Sequence, residues 1–405
     1  MVNQMTVAFG LDVSKATSAV AVVNDGVTVK QFKIDNNWFG FQNLLKEMKE
    51  YAKPQIVFEA TGVYSRRVQR FLEDNHYAYT RLNPLAAKKQ LDSLRPNKTD
   101  NNDALHLAQT QLVIKRRLEY YQKPVYHDLM DDSHFYEQLN EDVVREKNRL
   151  HRSLQLTFPE IESLLSRPDG EQYWNIVQRY PHPDLLEELS PDELGKIIMA
   201  TTPKNISLNR ATMVAKKLLH LAQASYPADR VEAPSVSQTR YHAKRVSELT
   251  RNKQQLIKAM TALAKTLPEF DILMSIPGFA ETTTVLLIGE LGDIRRFGSS
   301  NQLNAFIGID LRHYESGEFV AADHISKRGD TFARKLLFRT ISNIATVAHY
   351  HPNHINDFYQ RRKKQSPQSG TKKIAIAAMG RLLRTIYHLV ITNQMYIYGV
   401  KRQSF

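Results

Sequence analysis

Three short segments rich in β-branched residues open the chain, and each has the length of a single strand. They are Thr6–Asp12, Ala19–Val23 and Val27–Ile34. The triplet Asn24-Asp25-Gly26 lies between the second and the third, and Asp-Gly is a strong signal for a tight hairpin turn. The opening pattern therefore predicts a meander of strands.

Helical and strand-like segments alternate after this meander. The predicted elements are a helix from Trp38 to about Tyr51, a strand Gln55–Glu59, a helix from about Tyr64 to Asn75, a strand Tyr77–Leu82, and helices that begin at Pro84 and near Asn101. The order β-β-β-α-β-α-β-α predicts a mixed sheet with helices on its faces, and thus an α/β fold for this part of the chain.

Charged helical patterns dominate the middle, from about Asp128 to Ala264. Apolar residues recur there at 4-7-4 spacing and again in a heptad seam in which Lys253 occupies an a position. The two sets are Leu139, Val143, Leu150 and Leu154, then Val246, Leu249, Leu256, Met260, Leu263 and Leu267. They fit a coiled coil or a long helix packed on its own domain equally well. Residues 167–234, rich in proline, fit an inserted helical subdomain or a linker.

The last part of the chain is predicted to be mainly helical. The segment Ser275–Asp293 contains a Pro-Gly turn that opens a helix. This is similar to a helix-hairpin-helix element, in which turn N–H groups hold a DNA phosphate, although a plain turn explains it as well. The basic segment Arg361–Lys364, with Lys372 and Lys373, is predicted to lie in a polar loop that binds phosphate or is simply solvated.

The charge balance changes the choice of partner. Lys and Arg number 55 against 42 Asp and Glu, which gives a formal net charge of +13, and nucleic acid is the commonest polyanionic partner. The chain has no cysteine, which excludes disulfides, thiolate metal sites and cysteine nucleophiles. No signal peptide is visible, and Arg381 and Arg384 interrupt the most apolar run. We therefore expect a cytoplasmic protein with no membrane partner.

Four carboxylates fall where the predicted elements meet. Asp12 ends the first strand, Glu59 ends the fourth, and Asp100 and Asp103 share one face at the start of a helix. Like charges this close are costly unless cations neutralise them, and hard oxygen ligands suit Mg²⁺ or Mn²⁺. Such ions can activate a nucleophile and stabilise the leaving oxygen in phosphodiester cleavage. The pattern predicts a metal site.

Each carboxylate alone has a simpler interpretation. Asp12 before Val-Ser-Lys fits a turn residue, Asp100 fits a helix cap, and Glu59 fits a surface charge. Their joint placement at the ends of neighbouring elements favours the metal site over these separate explanations.

Five motifs in order resemble one family. GLDVSK (Gly10–Lys15), FEATGVY (Phe58–Tyr64) and NKTDNNDA (Asn97–Ala104) resemble the three acidic motifs of the DEDD transposases of the insertion sequence 110 family, also called bridge recombinases. The IPGF segment (Ile276–Phe279) and ISKRGD (Ile325–Asp330) resemble that family's second conserved domain. The middle of the chain resembles the family only in being helical.

The resemblance implies a domain plan. It implies a RuvC-like, RNase H-like domain at 1–127 with an Asp-Glu-Asp-Asp metal site, which falls on Asp12, Glu59, Asp100 and Asp103. A helical coiled-coil region follows at 128–266, with an insertion at 167–234. A C-terminal transposase domain occupies 267–405. Its serine nucleophile falls on Ser326 in ISKRGD.

The resemblance also implies the chemistry and the partners. The serine hydroxyl attacks a DNA phosphodiester with help from metal ions on the carboxylates of a different subunit, and a phosphoserine intermediate is later resealed. Donor and target double-stranded DNA, a structured guide RNA, and dimers that assemble into a tetramer are the implied partners. The implied location is the nucleoid in the cytoplasm of a bacterium or archaeon.

The residues around Ser326 fit this role. Serine is a weak nucleophile that needs activation, and Lys327, Arg328, Arg334 and Lys335 follow it as candidate nucleic-acid-binding cations. Without the resemblance, Ser326 fits a helix cap at least as well. Ser316 is the nearest rival nucleophile, but it fits a hairpin turn between Tyr314 and Phe319.

Two other functions remain open from the residues. A RuvC-like endonuclease would hydrolyse branched DNA with a metal-activated water, and Ser326 would then only cap a helix. A non-catalytic nucleic-acid scaffold is disfavoured, because four carboxylates without metal repel phosphate.

Overall fold

The computed structural model describes residues 6–84, 99–202, 205–312, 315–316, 319–320, 324–365 and 370–399. The chain divides into two compact units, Met1–Tyr121 and Gln122–Phe405. The sequence-based division at 127/128 and 266/267 stays a prediction. The helix predicted from Pro84 falls on residues outside the described part.

The first unit is built on a five-stranded mixed sheet with strand order β3-β2-β1-β4-β5. The strands are β1 Val7–Val13, β2 Thr17–Asn24, β3 Val27–Asp35, β4 Gln55–Glu59 and β5 Tyr79–Leu82. β1 pairs antiparallel with β2 and β2 with β3, whereas β4 runs parallel to β1 and β5 parallel to β4. The predicted mixed α/β sheet is confirmed.

The turn between β2 and β3 forms as its sequence predicts. Asp25 and Gly26 both have positive φ values, 47° and 84°. This is the backbone of a two-residue hairpin turn whose twist matches that of the flanking strands, and Asp-Gly is well suited to it. The hairpin fixes the register of the two strands, with Asn24 opposite Val27.

Helices cover both faces of the sheet. They are α1 Trp38–Lys49, α2 Ser65–Asp74 and α3 Asp100–Val113. One face of the sheet packs large side chains such as Phe9 and Phe58 against Leu44 and Leu72. The opposite face carries small residues and packs against α3, so the helix lies very close to the strands.

Gly10 marks the closest approach of α3 to the sheet. A Cβ placed on Gly10 would stand 2.1 Å from the backbone oxygen of Ala104 and 2.5 Å from the backbone nitrogen of Ala108. Real Cβ atoms do not approach backbone atoms this closely, so glycine at this position lets α3 lie directly on β1. The contact places the first turn of α3 near the carboxyl end of β1.

We expect Gly10→Ala to destabilise the fold by about 1–3 kcal/mol, because the helix must move to admit the methyl group. Chemical denaturation of the full chain measures the change. Gly170→Ala is the control, since a Cβ there meets no atom within 4 Å. Equal stability of the two variants would show that α3 does not depend on this contact.

Two long helices organise the second unit. They are α4 Pro124–Thr157 and α8 Pro234–Ala264. The amino group of Lys253 donates to Asn140 at 2.7 Å, whereas Glu146 bonds His242 at 2.7 Å, so the helices run antiparallel. The predicted seam residues Leu139 and Val143 pack against Leu249. Both helices thus pack within one chain, and the coiled coil stays a prediction.

The region between these helices is a helical subdomain rather than a linker. It contains 3₁₀ turns at Pro159–Ser163 and Pro183–Leu186, and helices α5 Glu171–Arg179, α6 Pro191–Thr201 and α7 Leu208–Ala224. Trp174, Leu194 and Leu218 share a core there with Leu150 and Leu154 of α4. Of the two open interpretations of this region, the linker is wrong.

A second core lies at the other end of the helix pair. Its helices are α9 Pro268–Met274, α10 Glu281–Leu291, α11 Ser300–Ile307, α12 Thr331–Val347, α13 His354–Gln365 and α14 Thr371–Thr392, with a 3₁₀ turn at Ile294–Arg296. Two small ladders lie between α11 and α12. They pair β6 Leu311–Arg312 with β9 His324–Ile325, and β7 Glu315–Ser316 with β8 Phe319–Val320.

The polar loop predicted for Arg361–Lys364 is wrong, because these residues are the exposed last turns of α13. Polar composition suggested a loop, yet a solvated helix end accepts lysine and arginine readily, since they favour the negative end of the helix dipole. Lys372 and Lys373 lie in the first turn of α14.

The apolar helix α14 belongs to this core. Among the described helices it alone is long and apolar enough to cross a membrane by length and composition, and 50% of its most apolar stretch is buried. Leu382, Leu383 and Ile386 are fully buried in the C-terminal core.

Candidate active site

The strand carboxylates lie side by side at the carboxyl end of the sheet. The parallel register of β1 and β4 ends with Leu11 opposite Phe58, so Asp12 and Glu59 follow at the next position of each strand. Both share the face of Gly10 and Val57, which is the face that α3 covers. Asp12 pairs with Ala19 in the ladder, so the turn interpretation of Asp12 is wrong.

The helix carboxylates occupy the first turn of α3. Thr99 caps this helix by accepting a hydrogen bond from the Asn102 backbone nitrogen, so the interpretation of Asp100 as the cap is wrong. Ala104 packs against Ala19, the ladder partner of Asp12. Asp100 and Asp103 therefore approach the sheet near the end that carries Asp12.

The donor set fits a hard divalent cation, because carboxylates from three elements converge on one face near one end of the sheet. Within the described residues, no three Asp, Glu or His side chains stand close enough to hold one ion. Carboxylates repel one another without a counterion, so binding a cation would require these side chains to move together.

Ser326 lies in a short loop whose backbone is tied to the end of α11. The backbone nitrogen atoms of Ser326, Lys327 and Asp330 donate to the carbonyl oxygens of Asp310, Gly308 and Phe306 at 2.9, 3.0 and 2.9 Å. Lys327 has a positive φ of 53°, unusual for a non-glycine residue, and such strain clusters at functional sites. Three backbone hydrogen bonds therefore tie this loop to the end of α11.

Two glycines permit this close packing. Gly308 ends α11 in the left-handed conformation with φ 76°. A Cβ on Gly329 would stand 2.3 Å from the Phe306 oxygen and 2.4 Å from the Gly308 nitrogen. Because neither residue has a side chain, the two backbones lie in direct contact beside Ser326.

The side chain of Ser326 bonds a carboxylate rather than a helix end. Its hydroxyl donates to Oδ1 of Asp310 at 2.5 Å. The cap of α12 is Asp330, which accepts from the Ala333 backbone nitrogen at 2.9 Å, so the helix-cap interpretation of Ser326 is wrong. Ser316 lies in β7 opposite Phe319, and its predicted hairpin is confirmed.

The four predicted cations have different surroundings. Lys327 and Arg328 are exposed next to Ser326. Arg334 donates to the Ile307 carbonyl oxygen at 2.6 Å, and Lys335 pairs with Glu137 at 2.5 Å. Two of the four therefore make contacts within the chain, and contact of all four with nucleic acid stays a prediction.

A buried carboxyl group, that of Glu290, lies beside the half-buried Asp330 at the end of the same loop. Glu290 of α10 is 4% exposed, and the carboxyl group of Asp330 lies at hydrogen-bonding distance from it. Burial, followed by the bond to Asp330 and its charge, raises the pKa of Glu290 to about 8. Sequence reasoning did not identify Glu290 or Asp310, because both gain their chemistry from residues distant in the chain.

We expect the stability of the chain to fall as pH rises from about 5 to 8. The folded Glu290 keeps its proton up to about 8, whereas the unfolded group loses it near 4.5, so the folded state binds more protons in this window. Glu290→Gln should reduce that fall. Between pH 5 and pH 8 the unfolding temperature should change less in the variant than in the wild type, by roughly 3 °C or more, which corresponds to about 1 kcal/mol.

Thermal unfolding at pH 5.5 and pH 8 measures the difference. Glu281→Gln is the control, because Glu281 is an exposed carboxylate in the first turn of the same helix. It should keep the wild-type pH dependence. A wild-type unfolding temperature that rises between the two pH values, with no change in Glu290→Gln, would contradict the assignment of a protonated Glu290.

Comparison with known proteins assigns both ends of the chain. A profile described as a transposase of the IS110 DEDD type matches residues 9–159, and one described as "Transposase IS116/IS110/IS902 family" matches residues 270–360. The first match spans all four carboxylates, and the second spans Asp310 and Ser326. Residues 160–269, which hold the helical subdomain, lie between the two matches.

A curated relative agrees with these profiles. The chain is 38% identical over 78 residues to the transposase for insertion sequence element IS1111A of Coxiella burnetii. The aligned stretch covers 19% of this chain and about a fifth (21%) of that relative.

Proposed function

The chain belongs to the insertion sequence 110 family of transposases, and we propose from this that it cuts and rejoins DNA through a serine nucleophile with metal assistance. The observation that carries the proposal is the environment of Ser326. Its hydroxyl lies against a carboxylate in a loop fixed by three backbone hydrogen bonds, within the segment that the second profile matches. A solvated or helix-capping serine would have neither feature.

We propose that the first unit has the RuvC-like, RNase H-like fold. The strand order β3-β2-β1-β4-β5, with three antiparallel strands followed by parallel ones, supports this assignment. The carboxyl ends of β1 and β4 then carry Asp12 and Glu59, and the first turn of α3 supplies Asp100 and Asp103. Residues 167–234 would be an insertion within a coiled-coil region, between this domain and the C-terminal transposase domain.

The four carboxylates would hold Mg²⁺ or Mn²⁺. Hard oxygen ligands select such ions, and a bound ion supplies charge neutralisation on the scissile phosphate. The protein's own contribution is to aim carboxylates from separate elements at one end of the sheet. Without that neutralisation the same four charges would repel the DNA backbone.

Ser326 performs the bond exchange. Its Oγ loses a proton and attacks phosphorus, the bond to one sugar oxygen breaks, and that oxygen leaves as a hydroxyl after gaining a proton. The strand stays on the protein as a phosphoserine ester. A sugar hydroxyl of the strand to be joined then loses its proton and attacks the same phosphorus, the bond from Ser326 Oγ to phosphorus breaks, and Ser326 Oγ regains a proton. The exposed Lys327 and Arg328 lie where they could hold the phosphate.

The proposed partners are donor and target double-stranded DNA, a structured guide RNA, and further copies of the chain. A net charge of +13 supports binding to both nucleic acids. In the family the carboxylates and the serine act from different subunits, so a dimer that assembles into a tetramer is the proposed active form. The proposed location is the cytoplasm of a bacterium or archaeon, at the nucleoid, where the DNA substrates lie.

A RuvC-like endonuclease that hydrolyses branched DNA is the alternative function, favoured by the convergence of acids in the first unit. An assay on a supercoiled plasmid that carries the ends of the encoding element separates the two. Purified chain with its co-purifying RNA and Mg²⁺ should form joined junctions, read by sequencing, and RNase treatment should abolish them. Cut ends without junctions would support the hydrolase and overturn the proposal.

A further inference from the structure

Asp310 and Ser326 make two contacts across 16 residues of chain. The Ser326 hydroxyl donates to Asp310 Oδ1 at 2.5 Å, and the Ser326 backbone nitrogen donates to the Asp310 carbonyl oxygen at 2.9 Å. The next residues on either side, Leu311 and Ile325, are partners in the β6–β9 ladder. Backbone pairing therefore holds the two residues next to each other, and the side-chain hydrogen bond joins the hydroxyl to the carboxylate.

The surrounding backbone holds the pair from the other side as well. The backbone nitrogen atoms of Lys327 and Asp330 donate to the carbonyl oxygens of Gly308 and Phe306. Gly308 and Gly329 lie so close together that neither position has room for a side chain. Arg334 of α12 further fixes the end of α11 through the Ile307 carbonyl oxygen. The two glycines, Lys327 with its positive φ, and Arg334 therefore all contribute to the geometry around Ser326.

We propose that Asp310 is a catalytic residue, the general base that accepts the Ser326 proton as the hydroxyl attacks DNA. This inference rests on the proposed function and extends it. The proton moves from Ser326 Oγ to Asp310 Oδ1 while the new bond from oxygen to phosphorus forms. The leaving sugar oxygen takes its proton from solvent water. In the joining step the attacking sugar hydroxyl loses its proton to solvent water, and the protonated Asp310 returns its own proton to Ser326 Oγ as the phosphoserine bond breaks. A carboxylate already within hydrogen-bonding distance satisfies the geometric requirement for such a base.

A purely structural role for Asp310 gives a different expectation. If the carboxylate only anchors the loop, asparagine should replace it well, because its side-chain oxygen also accepts a hydrogen bond from the serine. Asparagine cannot take the proton. An anchoring role predicts that Asp310→Asn attaches to DNA at the wild-type rate, and a proton-accepting role predicts a slower rate. Both roles predict unchanged stability and DNA binding.

The test measures the rate at which the chain becomes covalently attached to a plasmid carrying the ends of its element, with co-purified RNA and Mg²⁺. Asp310→Asn should slow attachment by about 10²–10⁴-fold, with DNA affinity and unfolding temperature unchanged. Asp357→Asn is the matched control, because Asp357 bonds Tyr398 at 3.2 Å and should leave the rate unchanged. Attachment at the wild-type rate in Asp310→Asn would overturn the inference.

A second pair of variants covers the case in which Asp310→Asn does not fold. Asp310→Glu and Asp310→Gln disturb the site equally in size and differ only in basicity. The inference expects glutamate to retain at least tenfold more rate than glutamine, and equal rates would overturn it.

Ser326→Ala separates the two claims. If Ser326→Ala still becomes attached to DNA, the proposed function is wrong. If Ser326→Ala does not become attached, while Asp310→Asn matches the wild-type rate and Asp310→Glu matches Asp310→Gln, only the role of Asp310 is wrong.

Discussion

Replacing Ser326 by alanine should abolish covalent attachment to DNA and lower strand joining by about 10³-fold or more. The side chain is the nucleophile of the proposed reaction, and removing a nucleophile eliminates the covalent route rather than weakening it. DNA affinity should not change, since the loop is held by backbone hydrogen bonds that alanine retains. Quantitative amplification of joined junctions from the plasmid assay measures the loss.

The matched control is Ser316→Ala, the nearest alternative serine. Ser316 lies in the two-residue strand β7, opposite Phe319. We expect this variant to join strands at the wild-type rate. Joining at the wild-type rate by Ser326→Ala, or loss of joining only in Ser316→Ala, would show that the nucleophile is assigned to the wrong residue.

Replacing Asp12 by asparagine should stop DNA cleavage, with a loss of about 10³-fold, while DNA binding stays the same or tightens. Asparagine keeps the shape of the side chain but removes a charge that a divalent cation requires. Removing a negative charge also lowers repulsion of the DNA backbone, so tighter binding with lost cleavage is the expected combination. Titration of Mn²⁺ into the purified chain should show weaker metal binding, a readout independent of activity.

Asp25→Asn is the control for this change. Asp25 is a turn residue with φ 47°, a conformation that asparagine adopts readily, so stability, metal binding and cleavage should all be unaffected. Unaltered function after Asp12→Asn would instead support a non-catalytic scaffold.

The two inactive variants also test which subunits cooperate. Co-expressed Ser326→Ala and Asp12→Asn chains should recover part of the joining activity, because each supplies the half that the other lacks. No recovery in mixed oligomers of confirmed composition would place serine and carboxylates in the same subunit.

The sheet of the first unit could be predicted because each of its signals is local. Alternating β-branched segments, the Asp25-Gly26 turn and the helical segments between strands are each readable within a few residues, and the observed strands follow them closely. Where composition was the only signal, as at Arg361–Lys364, the prediction of a loop failed. A charged helix end and a charged loop have the same composition.

The candidate site could be predicted only in part. The order of the strands places Asp12 beside Glu59, because parallel neighbours end at the same edge. Whether Ser326 caps a helix depends on where α12 begins, and the start at Thr331 with Asp330 as its cap was not evident from the sequence. The bonds from Ser326 to Asp310 and from Asp330 to Glu290 join residues of different elements, so they arise only from tertiary packing.

The central claim, that this chain exchanges DNA strands through a covalent bond to Ser326, is tested most directly by identifying the attached residue. Denaturing a working reaction, digesting the DNA and the protein, and sequencing the modified peptide by mass spectrometry locates the bond. The account predicts a nucleotide phosphate on Ser326, absent from Ser326→Ala and present in Ser316→Ala. Joined DNA formed with no modified peptide, or with the phosphate on another residue, would contradict it.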